Sequence, residues 1–323
     1  MATAEQIRSL IRSHFSDEPE RFFTIALQVA AHEAQQGHGE LAHDIRTIVD
    51  KAKQEQSPII RMKFPANLHG LVLADEPQTP LAALVAPPTL RTRVDRVIHE
   101  YRQRDKLKSH GLSQRRKILL IGPPGTGKTM TARILAHELR LRLYTIQVDK
   151  VVTKFMGETS AQLRQIFDLI QEETGVYLFD EFDAIGGERM LANDVGEMRR
   201  VLNSFLQFVE HDTSDSLIVA ATNSPKLLDR ALYRRFDDVL YYENPDIQDR
   251  PVLMRNVLGT FCDPNLAWKS LSTGSQGLSH AEIDQACRDA IKQAILTDKT
   301  MVDTALLRSM LKERKSAHGK HRE

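Results

Sequence analysis

The first fifty residues carry apolar positions at helical spacing, three or four residues apart. Three such stripes follow one another, and the third begins after 37-GHG-39. This pattern predicts a three-helix bundle over residues 1–55, without a cluster of side chains that could do chemistry. The apolar positions are Ile7, Leu10, Ile11 and Phe15, then Phe22, Phe23, Ala26, Leu27 and Ala30, and then Leu41, Ile45, Ile48 and Val49.

The helical pattern dissolves between residues 56 and 90, where prolines accumulate. Proline lacks a backbone donor and interrupts regular elements, so such a stretch has no periodic signal. The composition predicts a linker, or an extended strap that lies on a neighbouring surface. The prolines are Pro58, Pro65, Pro77, Pro80, Pro87 and Pro88.

From residue 91 to residue 246, short apolar runs alternate with helical stretches. Apolar runs of this length, separated by helices, are typical of buried parallel strands. The region is therefore predicted to be an α/β domain with a doubly wound parallel sheet. The predicted strands are 117-KILLI-121, 143-LYTIQV-148, 176-VYLFD-180 and 217-LIVAAT-222, and the helical stretches between them include 127–140 and 158–173.

The pattern after residue 246 is helical throughout. It predicts an all-α domain over 247–315, followed by a basic tail over 316–323 that is solvated. The helical stretches are 247–259, 279–296 and 303–314.

The composition limits the class of protein and its cellular compartment, but it identifies no partner. The 44 Lys and Arg residues nearly balance the 43 Asp and Glu residues, so the overall charge neither indicates nor excludes nucleic acid. Two isolated cysteines, Cys262 and Cys287, form neither a disulfide framework nor a zinc site. No apolar run approaches the roughly 20 residues that span a bilayer. We therefore expect a cytoplasmic protein without a membrane partner.

The segment 122-GPPGTGKT-129 matches the phosphate-binding pattern G-x-x-x-x-G-K-T between a predicted strand and a predicted helix. Gly125 and Gly127 let backbone N–H groups turn toward a phosphate, and the helix N-terminus adds its positive end. Lys128 is expected to neutralise the β and γ phosphates, and the Thr129 hydroxyl to bind Mg²⁺. The predicted nucleotide-binding residues are Gly122, Pro123, Pro124, Gly125, Thr126, Gly127, Lys128, Thr129 and Met130.

The segment 176-VYLFDEFD-183 supplies the carboxylates that such a site needs. Asp180 would hold Mg²⁺, usually through water, and Glu181 would orient the water that attacks the γ-phosphate. Adjacent residues at the end of a strand point to opposite sides, which gives the two carboxylates different roles. ATP and Mg²⁺ are the expected cofactors.

Two further polar groups leave alternatives open. Asn223 follows the strand 217–222. Its amide would hold the attacking water or the γ-phosphate, or it would instead cap the next turn. Arg234 and Arg235 are adjacent, and such a pair is either solvated at the surface or stabilises the charge of a phosphoryl transition state.

These motifs together resemble the AAA+ ATPases, in the narrow AAA clade that includes katanin, spastin and the proteasomal ATPases. The similarity covers residues 91–315 and fits a P-loop NTPase with a helical lid. It implies that Asn223 is sensor 1 and that Arg234 and Arg235 are arginine fingers, which act on the neighbouring subunit's ATP. It therefore implies a homo-oligomeric ring, usually a hexamer.

The lid motif of this family is matched by 277-GLSHAEI-283, which implies that Gly277 and Ala281 lie by the adenine. Leu278 and His280 depart from the usual Phe and Gly. His280 would either contact the base or ribose, or be an exposed residue in the first helical turn after the N-cap Ser279.

In 154-KFMGETS-160, two apolar side chains interrupt a polar stretch. From the residues alone, Phe155 and Met156 would close the edge of the sheet as core residues. The resemblance instead places Lys154, Phe155, Met156 and Gly157 in the pore loop of the ring. Aromatic side chains and methionine can grip an extended polypeptide of almost any sequence.

Three functions follow as hypotheses. The first is a protein remodeller that pulls a polypeptide client through the pore, the second is a machine that acts on DNA, and the third is a nucleotide-gated scaffold. The apolar pore loop favours the first. The N-terminal bundle resembles a bacterial group of AAA ATPases encoded beside subtilisin-like proteases and, more loosely, the microtubule-interacting and trafficking domains. A partner protease is therefore a further hypothesis.

Overall fold

The computed structural model describes residues 70–153, 159–182, 195–224 and 233–319, together with residue 68 and part of 25–49. The chain divides into two compact units, Met1–Met62 and Lys63–Glu323. In the first unit the described residues are helical apart from residue 38, and Ala26 and Val49 form a small core. The three-helix arrangement stays a prediction, because most of this unit lies outside the described residues.

A six-stranded sheet is the centre of the second unit. The four predicted strands are present, and two strands at the sheet's edges were not predicted. The strands are β1 (Val72–Asp75), β2 (Lys117–Ile121), β3 (Leu143–Gln147), β4 (Val176–Asp180), β5 (Leu217–Thr222) and β6 (Asp238–Tyr241). Their order is β1-β3-β4-β5-β2-β6, and every neighbouring pair is parallel except β1 and β3. This sheet agrees with the predicted α/β fold.

Helices cover both faces of the sheet, and others form the lid. In chain order they are α1 (Pro88–Arg102), α2 (Arg104–Ser109), α3 (Lys128–Leu139), α4 (Val148–Thr153), α5 (Thr159–Glu172), α6 (Val195–His211), α7 (Asp249–Leu258), α8 (Trp268–Gly274), α9 (His280–Leu296) and α10 (Thr304–Gly319). On one face, α1 and α3 share a core with alternate residues of the central strands. On the other, Phe179 of β4 contacts Phe167 of α5 and Phe205 of α6. Because both faces are covered, the strands are apolar almost throughout.

The interpretation of residues 56–90 as a linker needs correction from residue 71 onward. β1 pairs antiparallel with β3, in the register Val72 to Ile146, and adds an edge strand to the sheet. Leu71 and Leu84 are buried, and a single 3-10 turn (Leu81–Ala83) leads toward α1. The prolines prevent long regular elements, but they do not prevent the short strand and its apolar neighbours from packing on the sheet. The alternative prediction, an extended strap that lies on a neighbouring surface, agrees better with this packing.

The lid has a core of its own, formed by α7, α8, α9 and α10. Its largest contribution comes from α9, which buries Ile283, Ala286 and Ala290 along one face. The helix begins with a capping box, in which Ser279 accepts from the Glu282 N–H and Glu282 accepts from the Ser279 N–H. In the described residues, no helix is both long and apolar enough to cross a membrane.

The sheet order brings three predicted segments to one edge. β2 lies beside β5, and β5 lies beside β4. These strands are parallel, so their carboxyl ends meet where 122–129, Asn223 and the carboxylates Asp180 and Glu181 follow them. Ligands of open α/β sheets bind at this edge.

A buried ion pair lies at the other end of the central strands, beside the start of β2. The Asp212 side chain is fully buried and accepts from the guanidinium of Arg116. It also accepts from Gln171 Nε2 at 2.8 Å and from the Ser214 hydroxyl at 3.1 Å. A buried carboxylate is stable only with such partners, so this group ties α5, α6 and the start of β2 together.

We expect Asp212→Ala to lower the free energy of unfolding by about 3 kcal/mol, because Arg116 would lose its buried counter-ion. The matched control is Asp215→Ala, which removes the exposed partner of Lys108. That change should cost less than about 1 kcal/mol. Urea unfolding, followed by circular dichroism, measures the free energy of unfolding of both variants. An equal decrease in the two variants would contradict the role assigned to Asp212.

Candidate nucleotide-binding site

The loop between β2 and α3 passes close to other backbone, and its glycines make this possible. A Cβ on Gly122 would lie 2.3 Å from the carbonyl oxygen of Tyr242. Gly125 has φ 73°, and a Cβ there would lie 2.8 Å from the Ser279 hydroxyl oxygen. Gly127 has φ 102°. L-residues with side chains disfavour positive φ, so glycine is needed at 125 and 127 for the conformation and at 122 and 125 for space.

The first turn of α3 is held by residues that sequence reasoning missed. The buried Tyr242 donates its hydroxyl to Thr131 Oγ1 at 2.7 Å, and Thr131 donates to the Gly127 carbonyl at 3.1 Å. Burial raises the pKa of Tyr242, so its hydroxyl remains a donor at neutral pH. The apolar pattern of the sequence did not predict the hydrogen bond between Tyr242 and Thr131.

Lys128 is buried, with 7% of its surface exposed. Its ammonium group donates to the carbonyls of Gly122 at 2.7 Å and Pro123 at 2.8 Å, and to Asn223 Oδ1 at 2.8 Å. The structure therefore joins the predicted phosphate-binding lysine to the predicted sensor. The cation is fixed within the turn, where a phosphate group cradled by the loop would meet it.

The predicted metal-binding residues also meet. Thr129 donates its hydroxyl to Asp180 Oδ2 at 2.8 Å, and the other oxygen of Asp180 accepts from the Glu181 N–H at 2.9 Å. Glu181 has φ 50°, which is unfavourable for a residue with a side chain. Its carboxylate is exposed at the site. Backbone strain of this kind concentrates at functional positions.

These residues line a cleft of about 780 Å³ between the sheet edge and the lid. Its size suits a nucleotide, since ligand pockets commonly measure 300–1,000 Å³. Gly122, Pro123 and Gly277 are not part of its lining, and they shape the turns behind it. The predicted residues that line it are Pro124, Gly125, Thr126, Gly127, Lys128, Thr129, Met130, Asp180, Glu181, Asn223 and Ala281.

One part of the cleft wall is apolar and was missed by sequence reasoning. It combines Leu84 and Val85, from the segment interpreted as a linker, with Leu253 and Val257 of α7. His280 completes this wall, so it is not an exposed residue of the first turn. Its ring nitrogens are shielded from solvent, and burial lowers its pKa although the backbone of Val85 opposes the shift. The imidazole is therefore neutral at pH 7.

The lid and the loop touch directly at Gly125. The Ala281 N–H donates to the Gly125 carbonyl at 3.0 Å, at the N-terminus of α9. A bound phosphate would thus lie between the N-terminal ends of α3 and α9, where partial positive charge accumulates. The lid therefore contacts the loop that is predicted to bind phosphate.

Arg234 and Arg235 do not join this cleft. Arg234 is exposed, and Arg235 donates to Glu210 Oε2 of its own chain at 2.9 Å. Both lie near the start of β2, because the Asp237 carboxylate that follows them accepts from the backbone N–H groups of Arg116 and Lys117. The cleft lies at the other end of that strand. The predicted pore residues Lys154, Phe155, Met156 and Gly157 lie outside the described residues.

We expect Gly125→Ala to weaken ADP binding at least about tenfold, because the new methyl group strains a positive φ and presses on the lid. Gly274→Ala is the matched control, since a Cβ at Gly274 meets nothing within 4 Å. That variant should bind ADP as the parent does. Isothermal titration calorimetry measures the affinity of each variant for ADP. An unchanged affinity in Gly125→Ala would contradict the role assigned to the contact between Gly125 and the lid.

Comparison with known proteins identifies the family. The model of the AAA family, the ATPase family associated with various cellular activities, matches residues 118–244. A relative from Sinorhizobium fredii named uncharacterized AAA family ATPase y4kL is 32% identical over 94% of this chain and 92% of its own.

Two other relatives have more specific names but shorter matches. The proteasome-activating nucleotidase of Methanosphaerula palustris is 34% identical over 59% of this chain and 48% of its own length. The ATP-dependent zinc metalloprotease FtsH 1 of Methylacidiphilum infernorum is 34% identical over 62% of this chain and 34% of its own. The chain thus spans half or less of these two proteins. With its phosphate-binding loop, its paired carboxylates and a relative matched over nearly the whole length, the chain belongs to the AAA family of ATPases and is an ATP hydrolase.

Proposed function

We propose that this ATPase is a protein remodeller that works as a ring of identical subunits, with a hexamer favoured by the resemblance, and draws a polypeptide client through its centre. The observation that carries the proposal is the separation between Arg234 and Arg235 and the cleft of the same subunit. An ATPase that needs these arginines must receive them from a neighbour.

Mg²⁺ fits the pair formed by Thr129 and Asp180. A hydroxyl and a carboxylate in contact are the hard oxygen ligands that Mg²⁺ takes beside the phosphates of a nucleotide. When bound, the ion would draw negative charge from the β and γ phosphates.

The chain's own residues supply the other parts of hydrolysis. Lys128 would donate from its buried position to the phosphate oxygens, and Asn223, already 2.8 Å from that lysine, would hold the attacking water. Glu181 would accept the proton of this water. In the described cleft, Lys128 is the one cation at the phosphate end, which leaves part of the transition-state charge to be balanced from outside.

The arginines are too far from their own site to balance that charge. β2 separates them from the loop, and its five residues with the step to Gly122 span about 16 Å at the usual rise of a strand. An arginine side chain cannot cover that distance. Phosphoryl transfer gains much from an arginine supplied by a neighbouring chain, which makes trans action the economical role for this pair.

The polypeptide client is supported by the relatives and by the predicted pore segment. One relative is named a proteasome-activating nucleotidase and another an ATP-dependent zinc metalloprotease. The first name links a nucleotidase to a proteasome, and the second links ATP to a protease. The proposal for Lys154, Phe155, Met156 and Gly157 depends on the resemblance. Apolar contacts from these side chains would hold a polypeptide without regard to its sequence.

We expect mixing of two inactive variants to restore ATP hydrolysis. Glu181→Gln removes the water-activating carboxylate, and the double variant Arg234→Ala, Arg235→Ala removes the fingers. Each alone should lose at least about a hundredfold in kcat. In mixed rings, a Glu181→Gln subunit lends its fingers to a neighbour with an intact site, so about a quarter of the parental activity returns if sites act independently. Phosphate release measures it.

The control mixes Glu181→Gln with Lys128→Ala, in which no subunit retains an intact site, and no activity should return. Failure of the first mixture to regain activity, although size-exclusion chromatography shows mixed rings, would refute fingers that act in trans.

We expect Phe155→Ala to keep basal ATP hydrolysis within about twofold while losing its stimulation by an unfolded protein, because the gripping ring is removed. Phe155→Tyr preserves the aromatic ring and should keep most of the stimulation. Hydrolysis is measured with and without permanently unfolded casein, and in parallel with double-stranded DNA. If DNA alone stimulates hydrolysis, and does so equally in the parent and in Phe155→Ala, the protein is a DNA-directed machine and not a protein remodeller.

A further inference from the structure

One face of the lid helix α9 continues the cleft beyond the phosphate loop. Ala281, Asp284 and Arg288 are three and seven residues apart, so they lie on one side of the helix. All three line the cleft. Neither Asp284 nor Arg288 belongs to a motif that predicted the site.

A carboxylate is unexpected here, because the cleft must accept a polyanion. Asp284 is in an ion pair with Arg288, whose Nε lies 2.7 Å from Asp284 Oδ2. The pair has no net charge and does not repel phosphates strongly. About a third of the Asp284 side chain remains exposed, so it can still accept hydrogen bonds from a ligand. The neighbouring Gln285 is engaged differently, since its amide donates to Asp289 at 2.9 Å.

The position of Asp284 along α9 corresponds to one part of a nucleotide. Ala281 marks the phosphate end, where its N–H meets the Gly125 carbonyl. Leu84, Val85 and Val257 form the apolar wall suited to the base. The ribose of a nucleotide lies between its base and its phosphates. At 1.5 Å per residue, Asp284 lies about 4.5 Å farther along the helix than Ala281. This distance is comparable to the one that separates the phosphates of a nucleotide from its ribose.

We propose that Asp284 accepts hydrogen bonds from the ribose hydroxyls of the bound nucleotide and makes the site selective for ribonucleotides, while Arg288 holds the carboxylate in place. An acidic residue performs this role in dinucleotide-binding folds, because a carboxylate accepts from a vicinal diol. Hydrogen bonds to a charged group are stronger than neutral ones. A deoxyribose would lack one of the hydroxyls that donate to this carboxylate, and that hydrogen bond would be lost.

The test compares the Kd values of ADP, 2′-deoxy-ADP and 3′-deoxy-ADP by isothermal titration calorimetry with unlabelled nucleotides. Diphosphates avoid turnover, and labels on the ribose would block the group in question. The ratio of two Kd values within one variant is the useful quantity, since all three ligands carry the same phosphates and any change of local charge cancels. We expect the parent to bind at least one deoxy analogue about tenfold more weakly than ADP.

In Asp284→Ala this ratio should fall below about two, and in Asp284→Asn, whose amide oxygen still accepts, it should take an intermediate value. The matched control is Asp303→Asn, which alters a similar i,i+4 ion pair with Lys299 outside the cleft lining. That variant should keep the parental ratio. The proposal is overturned if the parent does not discriminate, or if Asp284→Ala discriminates as well as the parent.

Discussion

The contact between Gly125 and the lid constrains the whole nucleotide site. The Gly125 carbonyl accepts from the N–H of Ala281, and a side chain at Gly125 would collide with Ser279. This close approach aligns the first turns of α3 and α9, each of which has a positive end. A nucleotide bound there would touch both the loop after β2 and the lid, so its binding free energy would act on their relative position.

A buried cation and an anchored strand end complete this arrangement. Lys128 is held at the loop by two carbonyls and by Asn223, so its charge is already in place, and a bound phosphate would exchange for one of these three acceptors. At the far end of β2, the carboxylate of Asp237 accepts from the N–H groups of Arg116 and Lys117. The same short strand therefore fixes the loop at one end and the segment with Arg234 and Arg235 at the other. Preorganised charges of this kind are worth most in a site that excludes water.

The sequence predicted the parts of the fold that have strong local signals. The central strands are continuous apolar runs, and the loop 122–129 has a pattern that only glycine and lysine at fixed positions satisfy. β1 and β6 are only four residues long, and prolines obscured the region that follows β1. The apolar wall of the cleft combines residues that are distant along the chain, which no local pattern reveals.

Asp284 was missed for another reason. Along the sequence it forms an ordinary i,i+4 pair with Arg288, as on any solvated helix face. Only the tertiary fold shows that this face lines the cleft. The predicted pore residues remain predictions. So do the roles of Arg234 and Arg235, because the proposed action in trans involves a neighbouring subunit that a single chain does not contain.

The distance between the arginines and the cleft of the same chain also has a consequence for stoichiometry. Each subunit carries one cleft and one pair of arginines, so under the proposed action in trans a complete site would exist only where two subunits meet. An open assembly would then have one fewer complete site than it has subunits, and closing it into a ring would add the last one. Dilution would therefore lower the ATP turnover of each subunit while each cleft kept the affinity that its own residues give it.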